Sequence, residues 1–230
     1  MKFENTQVWG FKHAVRGMRN ALESWDKSDS YENFTVEYKD DVEIHHPYFR
    51  VGAGDLALMK KLIRAGNSHR KFLRQIFVSV DITAPMYLFN ELDTYKVGTV
   101  ANSTSKMHTL SKSPITMDNF EMDDFHSIGM GSEKTWELII GACEDLRKKY
   151  LETKDKRYWK ELIRLLPESW LQKRTITMNY ENLLAMCSKD QRRFHKLNEW
   201  SGIDDPTKSN FISWTRTLPY AQELIFIDEL

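Results

Sequence analysis

Twelve residues, VGTVANSTSKMH (97–108), concentrate side chains able to hold a small polar ligand. Asn102 offers an amide, Ser105 a hydroxyl, Lys106 an ammonium and His108 an imidazole. The run is either an ordinary surface connection or what remains of a nucleotide-binding loop. The same Asn102 and Ser105 can instead do no more than close a turn through side-chain to backbone bonds. Other candidates are spread along the chain: His69 ahead of an alternating strand, Lys96 at a helix end, and Arg164 before Leu165-Leu166-Pro167. Asn179 lies where an extended stretch gives way to a helix, and Arg192 and Arg193 belong to the basic cluster QRRFHK (191–196). Each has an ordinary alternative. His69 can cap a helix-to-strand turn, Lys96 and the basic cluster can face solvent, and Arg164 complements the negative end of a helix dipole.

Several chemistries are excluded at this level. No CxxC, HExxH or similar ligand spacing occurs, and His45-His46 beside Pro47 reads as a loop, so no metal is expected. Cys143 and Cys187 both fall inside helical patterns and read as buried free thiols, which suits a reducing cytoplasm. Lysine plus arginine equal aspartate plus glutamate at 33 each, so no overall field favours DNA, RNA or an anionic membrane. No apolar run approaches the ~20 residues that span a bilayer, and MKFENTQVWGFKHAV lacks the apolar core of a signal peptide. The 41% apolar content over 230 residues predicts one globular domain, 1–230, with a possible helical subregion over 132–200.

The elements that must position these residues follow from periodicity. GDLALMKKLIRAG (54–66) predicts a helix with Asp55 as a cap, Leu56, Met59, Leu62 and Ile63 as its apolar stripe, and Gly66 at its end. IFVSVDIT (76–83) alternates as a half-buried strand, and Pro85 opens a helix through about Tyr95. Residues 97–131 read mostly as loop with a short helix, the acidic stretch 118–124 being exposed. SEKTWELIIGACEDLRKKYLE (132–152) places Trp136, Ile139, Ile140, Cys143, Leu146 and Tyr150 on one face of a long helix. Another helix stops at Pro167. After it, RTITMNYENLLAMCSKDQRRFHKLNEW runs from an extended stretch into a helix carrying the basic cluster. A polar linker at 201–210 precedes a final helix around FISWTRTLPYAQELI, and the tryptophans at 136, 159, 170, 200 and 214 are core or interface residues. The expected class is α+β, helices packed on a small antiparallel sheet that takes in 76–83 and part of 32–44.

The order of these pieces resembles the flavin-dependent thymidylate synthases, the ThyX family. That family runs a helix ending in glycine, a histidine followed by a Glu-His pair, an alternating strand, an Ala-Pro helix and the loop R-H-R-x-x-S-x-N-x-x-S-x-R-Y. An A-R-x-x-L-P helix end and an N-x-R helix start come later. This chain follows the same order over 54–108 and 160–196, through AGNSHRKFLRQIFVSVDITAPMYLFNELDTYKVGTVANSTSKMH and IRLLPESWLQKRTITMNYENLLAMCSKDQRRFHK. His69, Asn102, Ser105, Arg164 and Asn179 match the family's positions. Arg74-Gln75 stands for Glu-His, Tyr95-Lys96-Val97 for R-H-R, Met107-His108 for R-Y, and Glu181 for the arginine of N-x-R. The last arginine position falls near Asp190, with Arg192 and Arg193 just beyond.

The resemblance implies a ThyX-like fold and FAD-dependent reductive methylation of dUMP to dTMP, with methylenetetrahydrofolate and NADPH as co-substrates. It implies a homotetramer with sites between subunits. It places FAD at His69, Lys96, Asn102 and Asn179, and the nucleotide at Ser105, Lys106, His108, Arg164, Arg192 and Arg193. The family's arginines hold phosphates bidentately, a contact lysine does not copy, and a carboxylate at 181 repels a phosphate if it points inward. A non-catalytic nucleotide-binding or regulatory protein on the same scaffold is therefore the competing expectation.

Overall fold

The computed structural model describes residues 1–40, 42–95, 97–122, 132–190 and 193–230. Strand β1 (Lys2–Trp9) turns through Gly10 into α1 (Phe11–Arg19), and β2 (Tyr31–Lys39) and β3 (Val42–Arg50) precede α2 (Ala53–Arg64). Strand β4 (Phe77–Pro85) runs into α3 (Met86–Leu92), and β5 (Val100–Ser103) is followed by α4 (Lys106–Thr109). Helices α5 (Ser132–Thr153) and α6 (Lys156–Leu165) lead to β6 (Leu171–Asn179) and α7 (Tyr180–Met186). The remaining helices are α8 (Asn198–Ser201), α9 (Phe211–Arg216) and α10 (Ala221–Leu224). The class is α+β, as the sequence predicts.

Four strands form one sheet in the order β1-β4-β6-β5. Along β4 the residues Val78, Val80, Ile82 and Ala84 are buried while those between are half-exposed, which is the alternation read from the sequence. The β4–β6 pair is antiparallel: Thr175 donates to Asp81 at 2.6 Å, and Thr177 to Ser79 at 3.2 Å. Strands β2 and β3 form a separate antiparallel hairpin pairing Tyr31 with Arg50 through Lys39 with Val42. The expectation that 32–44 joins the main sheet is thus corrected. His45 and His46 lie within β3, not in a loop, beside Glu43 at 2.7 Å and Glu37 at 2.9 Å.

By its contacts the chain divides into two compact units. The first comprises Met1–Glu4, Asp81–Thr94 and Ala101–Thr175. Its core joins Leu110, Ile115, Phe120, Ile140, Cys143 and Leu162, with Trp136, Leu146, Trp159 and Trp170 packed against them. The apolar face of α5 supplies Ile140 and Cys143, as its spacing requires. Phe120 corrects the picture of an exposed acidic stretch. It is 4% exposed and packs at a tilt against Trp136 at 5.9 Å and edge-to-face against Trp170 at 5.4 Å, anchoring the segment that Thr116 and Asn119 cap reciprocally. Asp123 and Asp124 lie outside the described residues.

The second unit comprises Asn5–Val80, Tyr95–Val100 and Ile176–Leu230. Trp200, Tyr180, Phe211, Phe226, Met59 and Leu73 are its largest fully buried side chains. Helix α2 faces inward through Asp55, Met59 and Ile63, four residues apart. Asp55 is not the expected cap. It is fully buried and accepts from Arg19 at 2.6 Å, Ser28 at 2.6 Å and Ser30 at 2.6 Å, while Asp29 accepts from the amides of Gly54 and Asp55 at the start of α2. Gly10, at φ +99, lets α1 start against the segment before β4: a Cβ there would meet the Gln75 carbonyl oxygen at 1.9 Å. Two helix boundaries differ from the sequence reading. Helix α7 ends at Met186, so the described part of the basic cluster, 193–196, lies beyond it and not on a helix, and the final helix is broken into α9 and α10 around Pro219. Among the described residues no helix is long and apolar enough to cross a membrane.

Candidate functional site

In the second unit, His69 sits in the turn between α2 and β4, held by its amide to the Gly66 carbonyl at 3.0 Å. Gly66 takes φ +97 there, the left-handed geometry that ends a helix. The His69 ring opens on a cleft of about 430 Å³ whose polar lining is Asn20, Ser68, Lys71 and Gln75, with Met18, Leu62 and Phe72 supplying apolar walls. Volume and lining fall in the range of sites that hold small ligands.

The next residue carries the largest departure from expectation. Arg70 donates to both oxygens of Glu181 at 3.0 and 3.2 Å, with a second guanidinium nitrogen at 2.9 Å. The side chains are 26% and 15% exposed. Glu181, standing where the resemblance calls for an arginine, is therefore a neutralised carboxylate and not a bare repulsive one. Two residues earlier Asn179 caps α7: its side-chain oxygen accepts from the Asn182 amide at 3.0 Å, and Asn182 returns a bond to the Asn179 amide at 3.1 Å. Asn182 also donates to the Val97 carbonyl at 2.7 Å, and Gly98, at φ +77, passes 3.2 Å (from a built Cβ) beside the Asn179 amide nitrogen. One unit thus gathers the His69 turn, the α7 cap and the start of the 97–108 loop.

Arg193 is committed elsewhere. Its guanidinium pairs with Asp228, with Glu229 at 3.0 Å, and with the Cys187 carbonyl at 2.9 Å, and its residue is 6% exposed. A phosphate there would have to displace two carboxylates. Arg216 joins the cluster through Glu229 at 2.7 Å, and its guanidinium pulls the Glu229 carboxyl down to about 2. Burial pushes the Cys187 thiol up to about 12 and the Cys143 thiol up to about 11, so neither is a nucleophile at neutral pH. Lys96 and Arg192 lie outside the described residues.

In the first unit, Asn102 sits on the exposed β5, and Thr104 ties the following turn to β6 through the Lys173 carbonyl at 2.9 Å. Ser105 opens α4 with its carbonyl accepting from His108 at 3.0 Å and Thr109 at 3.0 Å, and His108 is exposed. Lys106 is half-buried, and the acceptor it reaches is the Met86 sulfur at 3.0 Å. Burial lowers its pKa, opposed by Glu168 and reinforced by Arg174. Arg174 is a residue the sequence reading missed. It stacks on Phe89 at 4.1 Å, donates to Gln172 at 3.0 Å and approaches Asp93 at 3.3 Å. Its signal was a basic residue on a strand face, indistinguishable in sequence from a solvated one. Arg164 does not join this group: its side chain is 62% exposed beside Glu161 at 3.2 Å. Among the described residues no three potential metal ligands converge.

Comparison with known proteins places the fold. No protein-family model and no curated protein sequence matches the chain. Solved structures do. Flavin-dependent thymidylate synthase ThyX from Helicobacter pylori, complexed with FAD and dUMP, is similar over 99% of this chain and 99% of its own, at TM-score 0.60 and 17% identity. A second structure of Helicobacter pylori ThyX with FAD and dUMP covers 96% and 95%, at TM-score 0.57 and 17% identity. The chain therefore has the α+β fold of the flavin-dependent thymidylate synthases.

Proposed function

We propose that this chain is a divergent flavin-dependent thymidylate synthase-like protein that binds FAD and a uridine nucleotide. The observation that carries the reading is the end-to-end similarity to ThyX structures complexed with FAD and dUMP. The His69 cleft supports it, because its donors suit an anionic, hydrogen-bonding ligand and the α7 cap and loop start lie in the same unit. At about 430 Å³ the cleft holds one half of a dinucleotide, and the remainder would extend beyond it. His69, Lys71 and Asn179 would hold the cofactor, with Lys96 and Asn102 assigned to it by position. Ser105, Lys106 and His108 would hold the nucleotide, with Arg164 and Arg192 assigned by position alone. Arg193 is released from that role by its carboxylates. Reduced flavin would supply a hydride for the methylation of dUMP to dTMP, with methylenetetrahydrofolate and NADPH as co-substrates, in a cytoplasmic homo-oligomer.

A second reading, nucleotide binding without turnover, is favoured by the Arg70–Glu181 pair. It neutralises a position where the resemblance calls for a free cation. The absorption spectrum of the purified protein after FAD addition and removal of excess separates the readings. Flavin bands near one per chain, followed by dUMP-dependent NADPH oxidation, support the enzyme. A bound flavin or a nucleotide-dependent rise in Tm without turnover supports the binder, since a ligand that prefers the native state stabilises it by mass action. Neither flavin nor nucleotide binding refutes both.

A further inference from the structure

Helix α1 has two working faces. Gly17 and Met18 line the His69 cleft, whereas Lys12, Val15, Arg16 and Arg19 line a separate cavity of about 190 Å³ on the other side. Lys12, Arg16 and Arg19 share that side because their spacing is one helical face. The wall is completed by Trp25, by Phe49 at the base of the hairpin, and by Ser28 and Ser30. Everything in this cavity belongs to the second unit.

The charges inside are unequal in their commitments. Arg19 is 7% exposed, with its Nε bonded to Asp55 at 2.6 Å and an Nη to the Ser24 carbonyl at 3.1 Å, so it is balanced and fixed. Ser28 and Ser30 both give their protons to Asp55. Lys12 is tethered at 2.9 Å to Glu32, which stands directly opposite Phe49 across the hairpin. Arg16 alone of the three forms no ion pair with a described residue; it lies over the Trp25 ring at 5.6 Å. Arg16 is exposed, so the cavity presents one solvent-facing guanidinium, without a described carboxylate partner, at the edge of its aromatic and aliphatic walls.

We infer that this cavity is a binding site for a small planar organic monoanion, a carboxylate on an aromatic or heteroaromatic ring. A guanidinium takes a carboxylate bidentately, and Arg16 already lies over the Trp25 ring against which the ligand's own ring would pack. The ring belongs between Trp25 and Phe49, in a space larger than the ~150 Å³ that suffices for benzene. A bare phosphate would satisfy Arg16 and leave the apolar walls unused. Because Phe49 and Glu32 come from the hairpin, occupancy also fixes the hairpin base against α1.

Calorimetric titration of the full chain with benzoate, cyclohexanecarboxylate and inorganic phosphate tests this. Benzoate binds saturably at one site per chain, and the two others bind more weakly. Arg16→Gln weakens benzoate about tenfold or more, and Arg16→Lys recovers part of the loss. His69→Ala, on the other side of α1, leaves benzoate affinity as it is. Absence of saturable benzoate binding, or Arg16→Gln binding as well as the parent with the same Tm, overturns the site. Phosphate binding as tightly as benzoate overturns the ligand class. If Arg16→Gln does not fold, Trp25→Ala carries the same test through the ring wall.

Discussion

The Arg70–Glu181 pair makes a quantitative claim, because it joins a turn and a helix start that are 111 residues apart in sequence. Exposed ion pairs contribute about 0.2–1 kcal/mol. Removing one partner of a fully buried pair costs about 3–5 kcal/mol. With side chains 26% and 15% exposed and two oxygens engaged, this pair falls between those limits. Arg70→Met, which leaves Glu181 mostly buried without its cation, should cost about 1.5–3 kcal/mol. Glu181→Gln retains an acceptor for Arg70 and should cost about 1 kcal/mol. The double variant should be less damaged than the sum of the two, with a coupling of about 1–2 kcal/mol. In a chain of this length each kcal/mol moves Tm by about 2–4 °C, so Arg70→Met falls by several degrees while the double variant falls by less than the sum. The cycle is measured by thermal melting at low and at moderate salt. Additive effects, or a coupling that vanishes in moderate salt, would mean that the pair is a solvent-screened surface contact, and the claim that it neutralises the site would fail.

Three further outcomes follow from named contacts. Gly10→Ala should lower Tm well beyond Gly66→Ala: both sit near φ +98, but a Cβ at Gly10 meets the Gln75 carbonyl at 1.9 Å while at Gly66 nothing lies within 4 Å, so Gly66 carries only the ~1 kcal/mol backbone term. The Arg216 guanidinium pulls the Glu229 carboxyl from its ordinary value of 4.5 down to about 2 in the native state, so its contribution is present above about pH 4.5 and is lost as pH falls toward 2. With its side chain 29% exposed, screening reduces this to about 1 kcal/mol, and Arg216→Met should flatten the acid limb of a pH–Tm curve. Lys106 has a lowered native pKa, so the unfolded chain holds the proton more tightly and stability rises with pH between the native and the unfolded values. Lys106→Met should accordingly melt no lower than the parent at neutral pH, and a clear drop in its Tm would show that the ammonium is already balanced.

The sequence carried the fold where burial is periodic. Alternation in β4, the single apolar face of α5 and the strand-to-helix switch at Asn179 all survive because local spacing and burial agree there. It failed where burial is not periodic. Strand β1 is mostly exposed and β5 is exposed throughout, so neither shows a clean two-residue period, while the alternation of Phe34, Val36 and Tyr38 marks a strand in 32–44 but not the sheet it joins. The charged network was illegible for a different reason. Arg70 and Glu181, Arg19 and Asp55, and Arg193 and Asp228 are pairs between distant segments, and a lone charge in sequence looks solvated until its partner is in place.

Those pairs also explain how the elements can be kept while the charges move. Each buried cation needs a carboxylate or an anionic ligand, because an unpaired charge away from water is costly. Where the resemblance calls for an arginine at 181, this chain has a carboxylate and places the compensating cation on the neighbouring turn as Arg70. Arg193, close to another such position, is balanced by Asp228 and Glu229 from the same unit. Both exchanges substitute an internal anion for an external one. Lys106 and Arg16 are different: the first is half-buried against a thioether, the second is exposed over an indole, and neither forms an ion pair with a described residue. A ligand anion gains most where the protein has not already supplied one, so affinity should follow Lys106 in the first unit and Arg16 in the second, and not the arginine positions that the ThyX signature would select.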